Sequence, residues 1–207
     1  MPRIFIDMDG VVADFDAEAR KIMNLTDEEL ALAKTTGRYP DDRWGLVRSY
    51  PNFYRYLPKM PRADAMINAG RSFRDLLGYE LRMLTAIPKD NDFPEAFSDK
   101  ILWMQERYPD ITVWFGPYST DKQQHCTGSE DILIDDRLSN IEAWRLAGGV
   151  AVHVTDDYEQ ALADIIKIRE DITHPKDPYH EQPPQAPGDE EVEAILESIL
   201  AAMDSQQ

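Results

Sequence analysis

The sequence predicts an α/β protein: a Rossmann-like parallel sheet with helices on both faces and a small helical cap inserted after the first strand. Short apolar runs alternate with helical patterns from residue 63 onward, which is typical of parallel sheets built from strand–helix–strand units. Polar clusters follow four of the apolar runs, as expected where strands end at a functional edge. A turn-rich, helix-patterned stretch after the first strand predicts the cap.

The elements can be assigned in chain order. Residues 4–6 form the first strand, because a short apolar run that ends in acids and Gly10 is typical of a buried strand. Apolar residues then recur at helical spacing from Ala63 to Leu77, and Gly78 follows where a helix ends. Further strands are predicted at 80–84, 111–115, 132–134 and 150–154, with helices at 94–107, 140–147 and 158–169.

Turn signals and composition predict the domain organisation. Residues 1–15 and 63–173 are expected to form the core, which includes a polar loop at 119–130. Residues 16–62 are expected to form a cap of helical patches separated by turns, one of them at 39–42. Residues 174–188 contain five prolines and predict an extended linker. Residues 189–207 predict an acidic amphipathic helix with one apolar stripe. This helix could dock on its own core, which is the favoured alternative, or in trans on a second copy in a homodimer or on another protein.

Composition excludes several classes of partner. The chain has 207 residues, with 39 acids against 22 bases and a net charge of −17. Nucleic-acid polymers and anionic membranes bind clustered Lys and Arg, so both are excluded. No apolar stretch approaches the roughly 20 residues of a membrane span, and the first apolar run is too short for a signal peptide. The single Cys126 rules out an internal disulfide. We therefore expect a cytoplasmic protein with a small-molecule partner.

The chemistry is concentrated in acidic residues at strand ends. Asp7 and Asp9 follow the first strand, and the pair Asp135-Asp136 closes a later one. The carboxyl ends of parallel strands meet at one edge of a sheet, so these acids are expected to converge. A divalent cation makes such like charges tolerable, and oxygen ligands suit Mg²⁺. With the hydroxyl group of Thr85 and the basic Lys122, the pattern predicts a phosphoryl-transfer site with a carboxylate nucleophile.

Four motifs together resemble a known family. They are Asp7 to Phe15 (DMDGVVADF), Thr85, Asp121-Lys122 and Leu133 to Arg137 (LIDDR). In this order they resemble the 5′(3′)-deoxyribonucleotidase branch of the haloacid dehalogenase superfamily of aspartate-nucleophile phosphatases. The resemblance covers residues 3 to about 170, and the predicted cap lies where this branch carries its own small helical cap.

The resemblance implies a role for each motif residue. Asp7 would attack phosphorus and form an aspartyl-phosphate, and Asp9 would act as general acid and then as general base. Thr85 would bind the phosphoryl oxygens, and Lys122 would offset the charge of Asp7 and of the phosphate. An acid at the position of Asp9 indicates a hydrolytic phosphatase, because dehalogenases and ion pumps of the superfamily lack it.

The same resemblance implies a Mg²⁺ site. Its ligands would be the Asp7 carboxylate, the Asp9 backbone carbonyl and the pair Asp135 and Asp136. The family pattern favours Asp136 as the direct ligand, with Asp135 behind it. Which acid of the pair binds the metal directly stays open.

Aromatic residues bear on the substrate. Phe15 stands where this branch has an aromatic that contacts the base, and it could equally be a core residue; Trp44 belongs to an aromatic-rich part of the cap. The resemblance implies a Mg²⁺-dependent phosphatase of nucleoside 5′-monophosphates, deoxynucleotides in particular. Two alternatives stay open: a phosphatase of another small phosphorylated metabolite, and an assembly or binding module that acts through the C-terminal helix.

Overall fold

A parallel sheet forms the centre of the molecule. The computed structural model describes residues 1–36, 38–88, 93–116 and 118–175. Their sheet has the strand order β3-β2-β1-β4-β5, and each neighbouring pair is parallel. The predicted parallel α/β fold is thus confirmed, with β1 at its centre. The strands are β1 (Arg3–Ile6), β2 (Glu80–Thr85), β3 (Thr112–Phe115), β4 (Ile132–Asp135) and β5 (Val150–His153).

Helices connect the strands and fill the segment that follows β1. Gly78, with φ +71°, ends the helix before β2, as its position in the sequence predicts. The α-helices are α1 (Phe15–Met23), α2 (Asp27–Thr36), α3 (Asp41–Arg48), α4 (Ala63–Leu77), α5 (Ala96–Arg107), α6 (Leu138–Leu146) and α7 (Tyr158–Thr173). Short 3₁₀-helices span Tyr54–Tyr56 and Ser119–His125.

The sheet buries apolar side chains on both faces. Successive residues of a strand point to opposite faces, so β1 contributes to two layers of the core. Ile6 lies against Gly70 of α4. A Cβ added to Gly70 would lie only 2.8 Å from Cδ1 of Ile6. Phe5 points the other way and meets the ring of Trp144 of α6, with ring centroids 5.4 Å apart. Helices therefore cover both faces of the sheet, as predicted.

The two ends of the segment between β1 and α4 lie side by side. The Met60 N–H donates to the Val12 carbonyl at 2.9 Å. The wholly buried Trp103 of α5 donates its indole N–H to the Leu57 carbonyl at 2.8 Å. The segment is therefore tied to the rest of the fold at the point where the chain returns.

Some elements differ from the sequence prediction. α3 begins at Asp41, directly after Pro40, although residues 39–42 read as a turn in the sequence. Proline is compatible with the start of a helix, because the first N–H groups of a helix have no partner within it. Residues 119–125 form a 3₁₀-helix within a stretch predicted as a polar loop. α7 extends to Thr173, beyond its predicted end at residue 169.

The C-terminal predictions concern a part of the chain that the structure does not describe. From residue 176 onward, the predicted linker (174–188) and the predicted amphipathic helix (189–207) lie outside the described residues. Among the helices of the described ranges, none combines the length and the apolar character needed to cross a membrane.

Candidate active site

The end of β1 places two acids at the carboxyl edge of the sheet. Asp7 continues the pairing with β4, since its N–H donates to the Ile134 carbonyl at 2.9 Å. Gly10 then turns the chain with φ +76°, a value that a residue with a side chain adopts only with strain. The Asp7 side chain is buried, whereas Asp9 is partly exposed. This turn holds the two acids at the edge that the sequence predicts.

Lys122 forms a buried ion pair with two carboxylates. Its Nζ lies 2.7 Å from Oδ1 of Asp7 and 2.7 Å from Oδ2 of Asp135. Burial by itself lowers the pKa of Lys122, but the contacts with Asp135 and Asp7 outweigh burial and hold that pKa above its usual range. The 3₁₀-helix Ser119–His125 therefore delivers a permanent positive charge to the predicted nucleophile.

The two adjacent acids after β4 have different surroundings. Asp135 is wholly buried, and its Oδ1 accepts hydrogen bonds from the Arg137 N–H and from the Asn140 amide, both at 2.9 Å. Its Oδ2 accepts from Lys122 at 2.7 Å. Asp136 is half-buried and packs against Gly10, where a Cβ would collide with its carboxyl group. Asp135 thus orients its neighbours, while Asp136 faces the turn after β1.

The electrostatics of this cluster favour a cation. One oxygen from each of Asp7, Asp135 and Asp136 lies within 4.8 Å of the others. Burial raises the pKa of Asp7 to about 6, and the charges of Asp135 and Asp9 add to this rise against the opposing effect of Lys122. Burial, with Asp7 and Asp135, also raises the pKa of Asp136 well above its usual range. Crowded carboxylates of this kind suit a hard divalent ion with oxygen ligands.

Thr85 and a second buried lysine adjoin these acids. Thr85 ends β2, is wholly buried, and accepts a hydrogen bond from Nζ of Lys100 at 2.8 Å. The same Nζ lies 2.5 Å from Oδ2 of Asp9. The ring of Tyr54 lies below it, with 4.7 Å between Nζ and the ring centroid. Lys100 is therefore part of the site, although it is not among the site residues predicted from the sequence.

A signal for Lys100 does exist in the sequence. Lys100 lies four residues after Ala96 and three and four residues before Trp103 and Met104, so it occupies the apolar face of α5. Lysine is almost never fully buried unless it is paired, so a lysine at such a position calls for a partner. The partner, Asp9, lies 91 residues earlier and only the fold brings it near.

Phe15 and Trp44 belong to one aromatic cluster. Their ring centroids are 6.3 Å apart, and both side chains are half-buried. Tyr54 joins this cluster to Lys100, since its centroid lies 6.0 Å from that of Phe15. Phe53 and Tyr54 are buried, whereas Tyr56 is exposed. The remaining members of the cluster are Tyr39 and Phe93.

Solved structures are similar to this chain at low sequence identity. A Lactobacillus delbrueckii subsp. bulgaricus protein described as a "putative phosphoglycolate phosphatase" is 13% identical with a TM-score of 0.53, and the match covers 82% of this chain and 97% of that one. A haloacid dehalogenase (HAD) family hydrolase from Deinococcus radiodurans R1, with bound phosphate and sodium, is 12% identical with a TM-score of 0.43 and covers 84% and 96%. No curated protein matches significantly.

A family model gives the assignment of the chain. The model describes the 5′ nucleotidase, deoxy (pyrimidine), cytosolic type C protein (NT5C) and matches residues 1–170. This range contains the whole sheet and every residue of the acidic cluster. The fold agrees with that of the Lactobacillus protein. The chain therefore belongs to this nucleotidase family of haloacid dehalogenase-like phosphatases and is a phosphoric monoester hydrolase of the 5′-nucleotidase type.

Proposed function

We propose that the protein hydrolyses nucleoside 5′-monophosphates, deoxynucleotides in particular, in a Mg²⁺-dependent reaction through an aspartyl-phosphate on Asp7. The observation that carries the proposal is the setting of Asp7: a buried carboxylate paired with Lys122, beside two further acids and a hydroxyl group at one sheet edge.

The nucleophile is one oxygen of Asp7. Oδ1 accepts hydrogen bonds from Lys122 Nζ and from the Met8 N–H, both at 2.7 Å. Oδ2 is then the oxygen that attacks phosphorus, and the bond from phosphorus to the ester oxygen breaks as the bond to Asp7 forms. Water next attacks the aspartyl-phosphate, which releases inorganic phosphate and restores the carboxylate.

Asp9 is the proton donor and acceptor of these two steps. Nζ of Lys100 pairs with Oδ2 of Asp9 at 2.5 Å. Oδ1 of Asp9 is buried and has no hydrogen-bond partner among the described residues. A buried oxygen without a partner is costly unless a ligand completes it. We assign Oδ1 to the ester oxygen, which receives the proton, and afterwards to the attacking water, which gives one up.

Thr85 and Lys122 hold the phosphoryl group. The Thr85 oxygen accepts from Lys100, and its own hydrogen, whose contact with the Ala86 carbonyl is long at 3.5 Å, can be donated to a phosphoryl oxygen instead. Lys122 lies within hydrogen-bond distance of the nucleophile, where its charge offsets that of the phosphate in the transition state. The buried setting of both side chains strengthens these interactions.

The donor set fits Mg²⁺. Both oxygens of Asp135 accept from donors, namely Asn140 and Lys122 among others, whereas Asp136 has its carboxyl group beside the Gly10 turn. We therefore propose Asp7, the Asp9 carbonyl and Asp136 as ligands, with Asp135 holding Lys122 in place. The bound ion would supply positive charge that offsets the carboxylates and polarises the phosphate.

The substrate class rests on the aromatic cluster and on the family. We propose that residues 16–62 cap the site, and that Phe15 and Trp44 offer flat surfaces to a nucleobase. The family description names a deoxy (pyrimidine) nucleotidase of cytosolic type, and we extend both substrate and location to this chain. The acidic chain, at −17, suits a small nucleotide better than a polynucleotide.

A phosphate-release screen tests the proposal. Purified protein with Mg²⁺ is assayed on ribo- and deoxynucleoside 5′- and 3′-monophosphates and on sugar phosphates. We expect deoxynucleoside 5′-monophosphates to be hydrolysed fastest, and excess EDTA to stop turnover. A clear preference for a sugar phosphate would contradict the proposed substrate class but not the proposed phosphatase mechanism.

Variants separate the catalytic roles in the same assay. Asp7→Asn should abolish turnover, because an amide cannot form the acyl-phosphate, and Asp9→Asn should slow it by roughly 10²–10⁴-fold. Asp64→Asn, which alters a carboxylate paired with Lys59 at the surface, serves as the control. Near-normal phosphate release by Asp7→Asn would refute the assignment of the nucleophile.

A further inference from the structure

The Gly10 turn and the Asp136 carboxyl group lie in direct contact at the carboxyl edge of the sheet. A side chain at Gly10 would collide with that carboxyl group. Within the turn, the Gly10 N–H donates to the Ala13 carbonyl at 2.9 Å, and the Val12 and Ala13 N–H groups donate to the Met8 carbonyl at 2.9 and 2.8 Å. The Gly10 carbonyl needs a donor from another part of the fold.

Two side chains hold this contact from behind. The Tyr158 hydroxyl, in the first turn of α7, donates to the Gly10 carbonyl at 2.8 Å. His153, the last residue of β5, has Nε2 at 2.9 Å from the Asp136 carbonyl. Because a carbonyl can only accept, Nε2 carries the hydrogen in this contact. Both side chains are half-buried, and both act on backbone oxygens.

We propose that Tyr158 and His153 are positioning residues that hold the Gly10 turn and Asp136 at the separation required by the Mg²⁺ site. The inference rests on the proposed function, because it concerns the affinity of that site. Neither side chain is among the proposed ligands. Gly10 directly follows Asp9, whose carbonyl is a proposed ligand, and the Asp136 carbonyl belongs to a proposed ligand. Partners that orient metal ligands from outside raise the affinity for the metal.

The tyrosine separates this role from simple packing. Its ring packs against the main hydrophobic core, while its hydroxyl makes the bond to the Gly10 carbonyl. Tyr158→Phe keeps the ring and removes only the hydroxyl. Tyr108→Phe is a matched control, because the Tyr108 hydroxyl also makes one hydrogen bond, at 2.7 Å to Asp64, outside the acidic cluster.

The experiment measures Mg²⁺ binding directly. Metal-free full-length protein is titrated with Mg²⁺ by calorimetry, and its melting temperature is recorded in EDTA. Tyr158→Phe should bind Mg²⁺ roughly threefold to tenfold more weakly, the loss expected for one hydrogen bond. In turnover assays its half-saturating Mg²⁺ concentration should rise by a similar factor, while kcat at saturating Mg²⁺ stays within about twofold of wild type.

His153 provides the second arm. His153→Ala should weaken Mg²⁺ binding by about tenfold, and His153→Gln, which keeps an N–H donor, should recover part of that affinity. Equal Mg²⁺ affinity in wild type, Tyr158→Phe and His153→Ala would overturn this inference but would not contradict the proposed function. A fall in melting temperature with unchanged affinity would also overturn it, since that is the result of a purely structural role. Absence of Mg²⁺ binding by the wild type would refute the metal site of the proposed function, and this inference with it.

Discussion

The ammonium group of Lys100 lies 2.5 Å from the Asp9 carboxylate and donates to the Thr85 hydroxyl at 2.8 Å. Lys100 is wholly buried in α5, Asp9 follows β1, and Thr85 ends β2. The ring of Tyr54, from the segment inserted after β1, lies against the same ammonium. One buried cation therefore connects the proposed acid–base residue, the proposed phosphate ligand and the inserted segment.

Replacing Lys100 tests whether this cation serves catalysis. Lys100→Met keeps the length of the side chain and its packing but removes the donor to Asp9 and Thr85. We expect kcat to fall by about 10²-fold, the usual cost of losing one preorganised donor. The measurement is steady-state phosphate release together with circular dichroism. Lys59→Met, which removes a surface pair with Asp64, should leave kcat unchanged; equal effects of the two variants would contradict the role.

The adjacent acids Asp135 and Asp136 should respond differently to amide substitution. Asp136→Asn removes a proposed ligand, so we expect Mg²⁺ affinity to fall by at least tenfold. The same change relieves charge repulsion with Asp7, so the metal-free protein should melt no lower than wild type. Asp135→Asn weakens the bonds to Lys122 and Asn140, so it should lower the free energy of unfolding by about 1–3 kcal/mol. Calorimetric titration and thermal melts in EDTA check both. The reverse pattern would make Asp135 the direct ligand.

The aromatic cluster should matter more for nucleotides than for small esters. Phe15→Ala or Trp44→Ala removes a stacking surface, and base stacking contributes about 1–3 kcal/mol. We expect the KM for a deoxynucleoside monophosphate to rise by about tenfold, and the KM for p-nitrophenyl phosphate to change far less. Tyr56→Ala, at an exposed aromatic of the same segment, is the control. Equal changes for both substrates would mean that these rings only pack the segment.

A surface ion pair away from the site gives a pH-dependent prediction. Hydrogen bonds from Arg71, with Arg74 adding to them, hold the pKa of Asp110 well below its ordinary value of 3.8. A lowered pKa in the folded state stabilises the protein above pH 3.8, and this contribution is lost as the pH falls below that value. Because Asp110 is partly exposed, Asp110→Asn should cost at most about 1 kcal/mol at pH 7. Denaturant melts should show this difference at pH 7 and a smaller one at pH 3.

Local patterns in the sequence were sufficient to predict the sheet and the ends of its strands. The run at 4–6 and the later apolar runs form parallel strands, and α4 ends directly before Gly78 as predicted. These features are encoded within a few residues, through apolar periodicity and the freedom of glycine to adopt a positive φ. Because parallel strands carry their carboxyl ends to one edge, the convergence of Asp7, Thr85 and Asp135 there was also predictable.

Tertiary structure decided what each charged side chain contacts. Lys122 lies in a polar stretch typical of a solvated loop, yet it is buried between Asp7 and Asp135. Nothing within α5 indicates that Lys100 pairs with Asp9 rather than with another acid. An ion pair between residues far apart in the chain depends on the packing of whole elements, which short-range patterns do not specify.

The different surroundings of Asp135 and Asp136 are likewise set by the tertiary structure. The two residues are identical and adjacent, so the sequence determined that an acidic pair closes β4 but not which acid faces the Gly10 turn. The register of β4 against β1 and the Asn140 amide of α6 turn Asp135 inward, and the path of the chain after the strand places Asp136 against Gly10. Side chains alternate in direction along a strand, so only the paired sheet assigns each acid to its side.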